Sequence, residues 1–107
     1  SKGEQLRDFC FVQDTIESIF AAFESPAAKG EVINIGSGQP VSIRHVVETV
    51  QMLIGKGKPQ FGEVSYRSGE NMELYANISK AKALLGWEPK VTLEAGLNKT
   101  IQSIKDL

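Results

Sequence analysis

The sequence predicts a small α/β unit of α+β character, with several amphipathic helices on three or four short strands. Three observations predict it. Apolar residues recur at helical spacing in three stretches, Ile16 to Phe23, Ile43 to Ile54 and Leu93 to Ile104. Short β-branched or aromatic stretches stand between and before them: Leu6 to Val12, Val32 to Ile35 and Gln60 to Tyr66. Glycine or proline punctuates the junctions, at Pro26, Gly30, Gly36, Gly38, Gly55, Gly86 and Pro89.

In chain order, Leu6 to Val12 reads as extended, and Asp14 or Thr15 offers a cap for the helix that follows. Ile16, Ile19, Phe20 and Phe23 fall on one face of that helix, which stops before Ser25-Pro26 because the residue before proline disfavours helical backbone. Lys29-Gly30 turns the chain into a strand, Val32-Ile33-Asn34-Ile35, and Gly36-Ser37-Gly38 turns it again. Ser42 caps a second helix with Ile43, Val46, Val47, Val50, Leu53 and Ile54 on its apolar face, and Gly55 stands where a left-handed end residue belongs. After the loop Gly55 to Pro59, Gln60 to Tyr66 reads as a short strand interrupted by Gly62, and Arg67 to Asn71 as polar and irregular. Asn77 or Ser79 caps a short helix bearing Ile78, Ala81, Leu84 and Leu85, ended by Gly86, and Trp87-Glu88-Pro89 breaks the chain there. Thr92 caps a last helix, with Glu94 at its positive end and Leu93, Leu97, Ile101 and Ile104 along one face. Gly96 inside that helix weakens it by about 1 kcal/mol relative to alanine.

Composition narrows the function classes. At 107 residues, 41% apolar and 23% charged, residues 1–107 fit one ordinary globular domain. A chain of this size buries roughly two-thirds of its unfolded-state surface. A net charge of −1 without a lysine-arginine block predicts neither nucleic acid nor membrane as a partner. The single cysteine, Cys10, has no partner for a disulfide and no Cys/His cluster around it for zinc, so a reducing compartment and a small apolar role are expected, with no metal. No apolar run approaches the ~20 residues of a membrane span, and Ser1-Lys2-Gly3-Glu4 lacks the apolar core of a signal peptide. A cytoplasmic protein is therefore expected if Ser1 is a true start.

Strand-to-helix glycine turns are where phosphates are bound, since free N–H groups and the helix dipole favour an anion. The dinucleotide fingerprint needs three glycines. Gly36 and Gly38 supply two, but Val41 holds the third position and Pro40 removes a donor, so the turn is expected to be a structural join. His45, the only histidine, has no serine or cysteine tied to it by spacing and is read as structural. Trp87 is read as a packing anchor under the loop rather than a stacking platform, and Phe9, Phe11, Phe20 and Phe23 as core rather than ligand-facing residues.

Arginines in extended or irregular segments are better candidates for chemistry. Arg7 lies in the first extended stretch, and Arg67 opens a polar loop with Glu70 close behind. A guanidinium there grips a phosphate through its planar fork, while a carboxylate accepts from two ribose hydroxyls. From these residues alone, an ordinary surface ion pair of nearly neutral energy is the simpler reading.

Five segments in order carry a resemblance: Arg7-Asp8-Phe9-Cys10-Phe11-Val12-Gln13-Asp14; Asn34-Ile35-Gly36-Ser37-Gly38; Arg67-Ser68-Gly69-Glu70; Ser79-Lys80-Ala81-Lys82 with Leu85-Gly86-Trp87-Glu88-Pro89; and Leu93-Glu94-Ala95-Gly96-Leu97. Together they resemble the C-terminal third of NAD-dependent nucleotide-sugar epimerases and dehydratases, the extended short-chain dehydrogenase/reductase family. The resemblance implies a C-terminal substrate-binding part with the Rossmann domain absent. It implies that Arg7 and Arg67 hold the substrate diphosphate and Glu70 the nucleotide ribose. It also implies structural roles for Asp14 and the Asn34 to Gly38 turn, and a packing role for Trp87. Asn77 stands where an aspartate is usual, and Leu74 where some epimerases carry a tyrosine near the sugar, which leaves the sugar open.

The chain has no three-glycine fingerprint and no Tyr-x-x-x-Lys, since Glu70 follows Tyr66 and Ser79 follows Tyr75 at that spacing. The family's proton transfer and its hydride exchange with NAD therefore lack their residues here, so no cofactor and no catalytic residue are expected in this chain. The leading expectation is a nucleotide-sugar-binding fragment, non-catalytic alone, with at most weak affinity for a nucleoside-diphosphate sugar. A self-associating structural module without a ligand, and a subunit completing a separate Rossmann domain, are the alternatives. A homodimer or segment-exchanged oligomer is expected from apolar surface left without a partner.

Overall fold

Side-chain caps start two helices where the sequence places them. Ser42 Oγ accepts from the His45 N–H at 3.0 Å and Thr92 Oγ1 from the Ala95 N–H at 3.2 Å, each replacing a bond that the first turn of a helix lacks. These residues open helices α2 (Ile43–Ile54) and α4 (Leu93–Lys105) of the computed structural model, which describes residues 1–107. Helix α3 (Ser79–Leu85) departs from the expected Asn77 or Ser79 cap: Ile78 holds the cap position without a side-chain bond, and Asn77 Oδ1 accepts from the Ser79 N–H at 3.0 Å from one residue earlier. Gly55 and Gly86 end α2 and α3 in the left-handed region, at φ 83° and 61°.

Helix α1 (Val12–Glu24) differs from expectation at its start and along its face. It follows Phe11, which gives no side-chain cap, and Asp14 is buried inside its first turn instead of capping it. Its apolar face is bare: Ile16, Ile19 and Phe20 are exposed and Phe23 is 86% exposed, while Asp14 and Ser18 are the buried positions. Phe9, Phe20 and Phe23 are thus not core residues. The amphipathic pattern is real, but no other element of the chain covers the apolar side.

The sheet is smaller than the sequence suggests. Strand β1 (Leu6–Asp8) pairs antiparallel with β2 (Pro40–Ser42), with Arg7 opposite Val41, and Leu6 makes one parallel bridge to Glu73 on its other side. Val32 to Ile35, expected as a strand, has no strand partner, because no segment of this chain lies in register beside it. Gln60 to Tyr66 is not a strand either. Gly62 has φ +84°, its N–H donates to the Ser1 carbonyl at 2.8 Å, and Gln60 to Glu63 forms a turn.

The interior is thin and partly polar. Eight of 107 residues are buried, and the apolar side chains among them are Ala81 and Trp87. Trp87, 6% exposed, donates its indole N–H to the Asp14 carbonyl at 2.9 Å, and the Asp14 carboxylate, 1% exposed, accepts from the Val91 N–H at 3.1 Å. This knot ties the segment between α3 and α4 to the first turn of α1. Gly96 is where α4 passes closest to Phe11, whose Cδ1 would lie 3.1 Å from an added Cβ, so its helix-weakening effect accompanies a close approach. The molecule measures 48 × 39 × 18 Å with a radius of gyration of 16.3 Å, against about 13 Å for a compact chain of 100 residues. Its surface of 7571 Å² exceeds the roughly 5,900 Å² expected for a chain of this mass, and about 55% of the unfolded-state surface is buried instead of two-thirds.

Candidate functional site

Successive residues of a strand point to opposite faces, and β1 uses this to send Arg7 and Asp8 to different tasks. Asp8 turns into the Gly36-Ser37-Gly38 turn. Its Oδ1 accepts from the Ser37 N–H at 2.7 Å, and its Oδ2 from the Gly38 N–H at 3.0 Å and the Ala76 N–H at 3.1 Å. A Cβ on Gly36 would sit 2.6 Å from Asp8 Oδ2 and 2.8 Å from the Ala76 Cβ, so only glycine fits beside the seated carboxylate. Burial raises the Asp8 pKa, but the backbone and side-chain hydrogen bonds from Ser37 and the backbone bonds from Ala76 and Gly38 outweigh it and hold the carboxyl below its ordinary value. The turn therefore does hold an anion, and that anion is the chain's own.

Arg7 turns the other way, toward Glu70. Its Nη2 lies 3.5 Å from Glu70 Oε1, and its Nη1 donates to the Leu6 carbonyl at 2.8 Å. Arg67 Nε donates to Glu70 Oε2 at 2.8 Å. The structure thus brings together all three residues singled out by sequence: two guanidiniums on one carboxylate, leaving the trio one positive charge in excess. Glu70 is 12% exposed and Arg67 82% exposed, so the Arg67 fork faces water and is held by a bond of only about 0–1 kcal/mol. An anion of higher charge, such as a diphosphate, can draw both guanidiniums toward itself. Beside the trio, a cleft of about 550 Å³ is lined by Arg7, Asp8, Asn34, Ile35, Leu74 and Tyr75 among others.

The other candidates lie elsewhere. His45 is exposed in the first turn of α2, and Cys10 is half-buried, accepting from the Thr15 hydroxyl at 3.4 Å. No group of three or more His, Cys, Asp or Glu side chains is placed to hold a metal ion, and no helix is long and apolar enough to cross a membrane.

Residues 1–100 match the family described as GDP-mannose 4,6 dehydratase. The chain belongs to this family. It is 35% identical over 105 residues to a UDP-glucuronate 4-epimerase of Thermodesulfobacterium geofontis, covering 97% of this chain and 32% of that protein. It is 39% identical over 102 residues to UDP-glucuronic acid decarboxylase 1 of Xenopus tropicalis, covering 92% and 23%. Among solved structures, UDP-glucuronic acid 4-epimerase from Bacillus cereus in complex with NAD superimposes with a TM-score of 0.84 at 35% identity, over 100% of this chain and 32% of that one. UDP-glucose 4-epimerase from Thermotoga maritima with UDP-glucose gives 0.88 at 31% identity, over 99% and 33%. As a GDP-mannose 4,6 dehydratase family member the chain corresponds to the C-terminal portion of the extended short-chain dehydrogenase/reductase family, and it spans about a third of the length of these relatives.

The Gly36-Ser37-Gly38 turn does not fit the pyrophosphate of NAD. The N–H groups of Ser37 and Gly38, which would face it, donate to Asp8, and Val41 stands at the third glycine position. Sequence reasoning missed the Asp8 seat and the Asp14–Trp87 knot, because each joins segments far apart in the chain. The signal for the first was present: a glycine turn suited to an anion, and an aspartate in a nearby extended segment.

Proposed function

We propose that this chain is the substrate-side portion of an NAD-dependent nucleotide-sugar epimerase or dehydratase, non-catalytic by itself. Arg7 and Arg67 take the diphosphate, Glu70 takes the ribose hydroxyls, and the adjoining cleft leads toward the sugar. The observation that supports this reading is the convergence of Arg7 and Arg67 on Glu70, from segments 63 positions apart at Arg7 and Glu70. Relatives described as a UDP-glucuronate 4-epimerase and a UDP-glucuronic acid decarboxylase support a nucleoside-diphosphate sugar as the ligand class. Residues 1–107 hold neither a Tyr-x-x-x-Lys nor a three-glycine fingerprint for proton and hydride transfer, and the single free cysteine suits a reducing, cytoplasmic setting. Calorimetry with UDP-glucuronate at millimolar concentration tests the reading. Binding near 1 mM, about −4 kcal/mol, that is lost in Arg67→Ala is expected; absence of heat, or an unchanged Arg67→Ala isotherm, overturns it.

The bare face of α1 favours a second reading for the chain in isolation. Ile16, Ile19, Phe20 and Phe23 lie in one row on a molecule with roughly 1,700 Å² more surface than its mass predicts, about twice what each partner contributes to a standard interface. A second copy seated antiparallel on this row brings Glu24 beside the positive N-terminal end of its partner's α1. Sedimentation equilibrium is expected to give a dimer that Phe23→Asp dissociates. A wild-type monomer at high concentration excludes this reading.

A further inference from the structure

Asp8 takes no part in the binding reading above, yet it accepts three backbone hydrogen bonds, more than any other side chain in the molecule. Their donors lie in two separate segments, the turn after Ile35 and the stretch around Ala76. The cleft beside Arg7 is lined by Asn34 and Ile35, just before that turn, and by Leu74 to Asn77, with β1 between them. Asp8 thus bonds directly to Ala76 in one wall and, through Ser37 and Gly38, to the turn that carries on from the other, and Arg7 is its chain neighbour.

We infer that Asp8 is a positioning residue for the Arg7–Glu70–Arg67 site: its carboxylate, filling an anion seat of backbone N–H groups, sets the spacing of the three walls and the direction in which Arg7 presents its guanidinium. The inference rests on the binding reading for its consequence, though not for its geometry. A carboxylate is required because three N–H donors converge on its two oxygens, leaving no place for a donor. An amide keeps the shape but turns an NH₂ toward an N–H, and the seat opens. Arg7 does not depend on Asp8 as an ion-pair partner, since the Asp8 carboxylate is occupied by backbone N–H groups while the guanidinium is on Glu70 and the Leu6 carbonyl. The link is mechanical, through one strand whose alternate residues face the seat and the site.

The test uses the whole chain, with UDP as the probe and the Glu70 side-chain carboxyl carbon observed by NMR. In Asp8→Ala, UDP affinity is expected to fall about tenfold, within the range that misplacing a binding group costs, and the Glu70 signal to shift. Sodium formate, which places a carboxylate back among the vacant N–H groups, is expected to restore most of both, while sodium chloride at equal ionic strength restores neither. A general loss of packing would not answer to a carboxylate. Asp8→Asn serves if the alanine variant does not fold: weakened UDP binding with a shifted Glu70 signal upholds the inference, and wild-type values of both overturn it. A folded Asp8→Ala chain that formate does not rescue also overturns it. If wild-type chain binds no UDP, the binding reading fails alone. The Glu70 signal of the ligand-free protein then decides, a shift reversed by formate upholding the role of Asp8 and an unmoved signal removing it.

Discussion

Asp8 and Glu70 are two partly buried carboxylates, each holding distant segments together, and they do it with opposite kinds of partner. Asp8 is held by backbone N–H groups of Ser37, Gly38 and Ala76, whose positions are set by the chain itself. Glu70 is held by the long side chains of Arg7 and Arg67, the latter almost entirely in water. A backbone donor cannot leave without bending the fold, whereas a guanidinium on a flexible stem turns to a better anion at little cost. The first arrangement builds a fold and the second makes a site. The knot of Asp14, Trp87 and Val91 belongs with Asp8 in this respect, since each of its two bonds has a backbone group on one side, the Asp14 carbonyl for the indole and the Val91 N–H for the carboxylate.

Several substitutions sharpen or break that contrast. Trp87→Ala removes the largest buried apolar side chain and the indole bond to Asp14, and is expected to lower unfolding free energy by about 3 kcal/mol or more in urea titrations. A loss under 1 kcal/mol would mean the knot does not hold the helices together. Asp14→Ala leaves the Val91 N–H without its acceptor and is expected to cost about 1–3 kcal/mol by the same measurement.

Acid separates the two carboxylates differently. The Asp8 pKa is lowered from 3.8 in the folded chain, so its contribution to stability is complete above that value and is lost as pH falls below it through the lowered pKa. Stability curves of wild type and Asp8→Asn are expected to converge as pH falls below 3.8; parallel curves through that range would remove Asp8 from the fold-building side. The smallest effect on stability belongs to Glu70→Gln, about 1 kcal/mol, since its shorter ion pair is with the exposed Arg67, its pair with the partly buried Arg7 is long at 3.5 Å, and glutamine keeps an acceptor oxygen for one of them. A larger loss would move Glu70 into the same class as Asp8.

Helices were legible in the sequence because their signals are local. The Ser42 and Thr92 caps, the Gly55 and Gly86 ends and the apolar spacing of α2 and α4 all lie within a few residues of what they control. Strands were not, because a strand needs a partner that its own residues do not name. Val32 to Ile35 has the composition of a strand and nothing beside it, while β2 forms at Pro40 to Ser42, where composition gave no signal. The face of α1 was read correctly as apolar and wrongly as core, since periodicity tells which side is greasy and not what covers it. Arg7, Arg67 and Glu70 were singled out as arginines in extended or irregular segments with a carboxylate near Arg67, the family resemblance set them above an ordinary surface pair, and the structure adds that they meet. Asp14 was marked as structural only through the resemblance, and Asp8 was passed over although the glycine turn suited an anion, because which carboxylate meets which backbone N–H is decided between segments far apart in the chain.

The three arginines allow the central claim to be measured in one experiment. Arg44 stacks on Phe61 at 3.9 Å and pairs with Glu48, so its side-chain Nε–H signal is an internal reference for those of Arg7 and Arg67. Titrating UDP into ¹⁵N-labelled chain is expected to move the Arg7 and Arg67 signals along one binding curve while Arg44 stays fixed, and uridine, which lacks the diphosphate, is expected to move none of the three. Unmoved Arg7 and Arg67 signals at millimolar UDP, or equal shifts with uridine, would contradict the assignment of this cluster to a diphosphate.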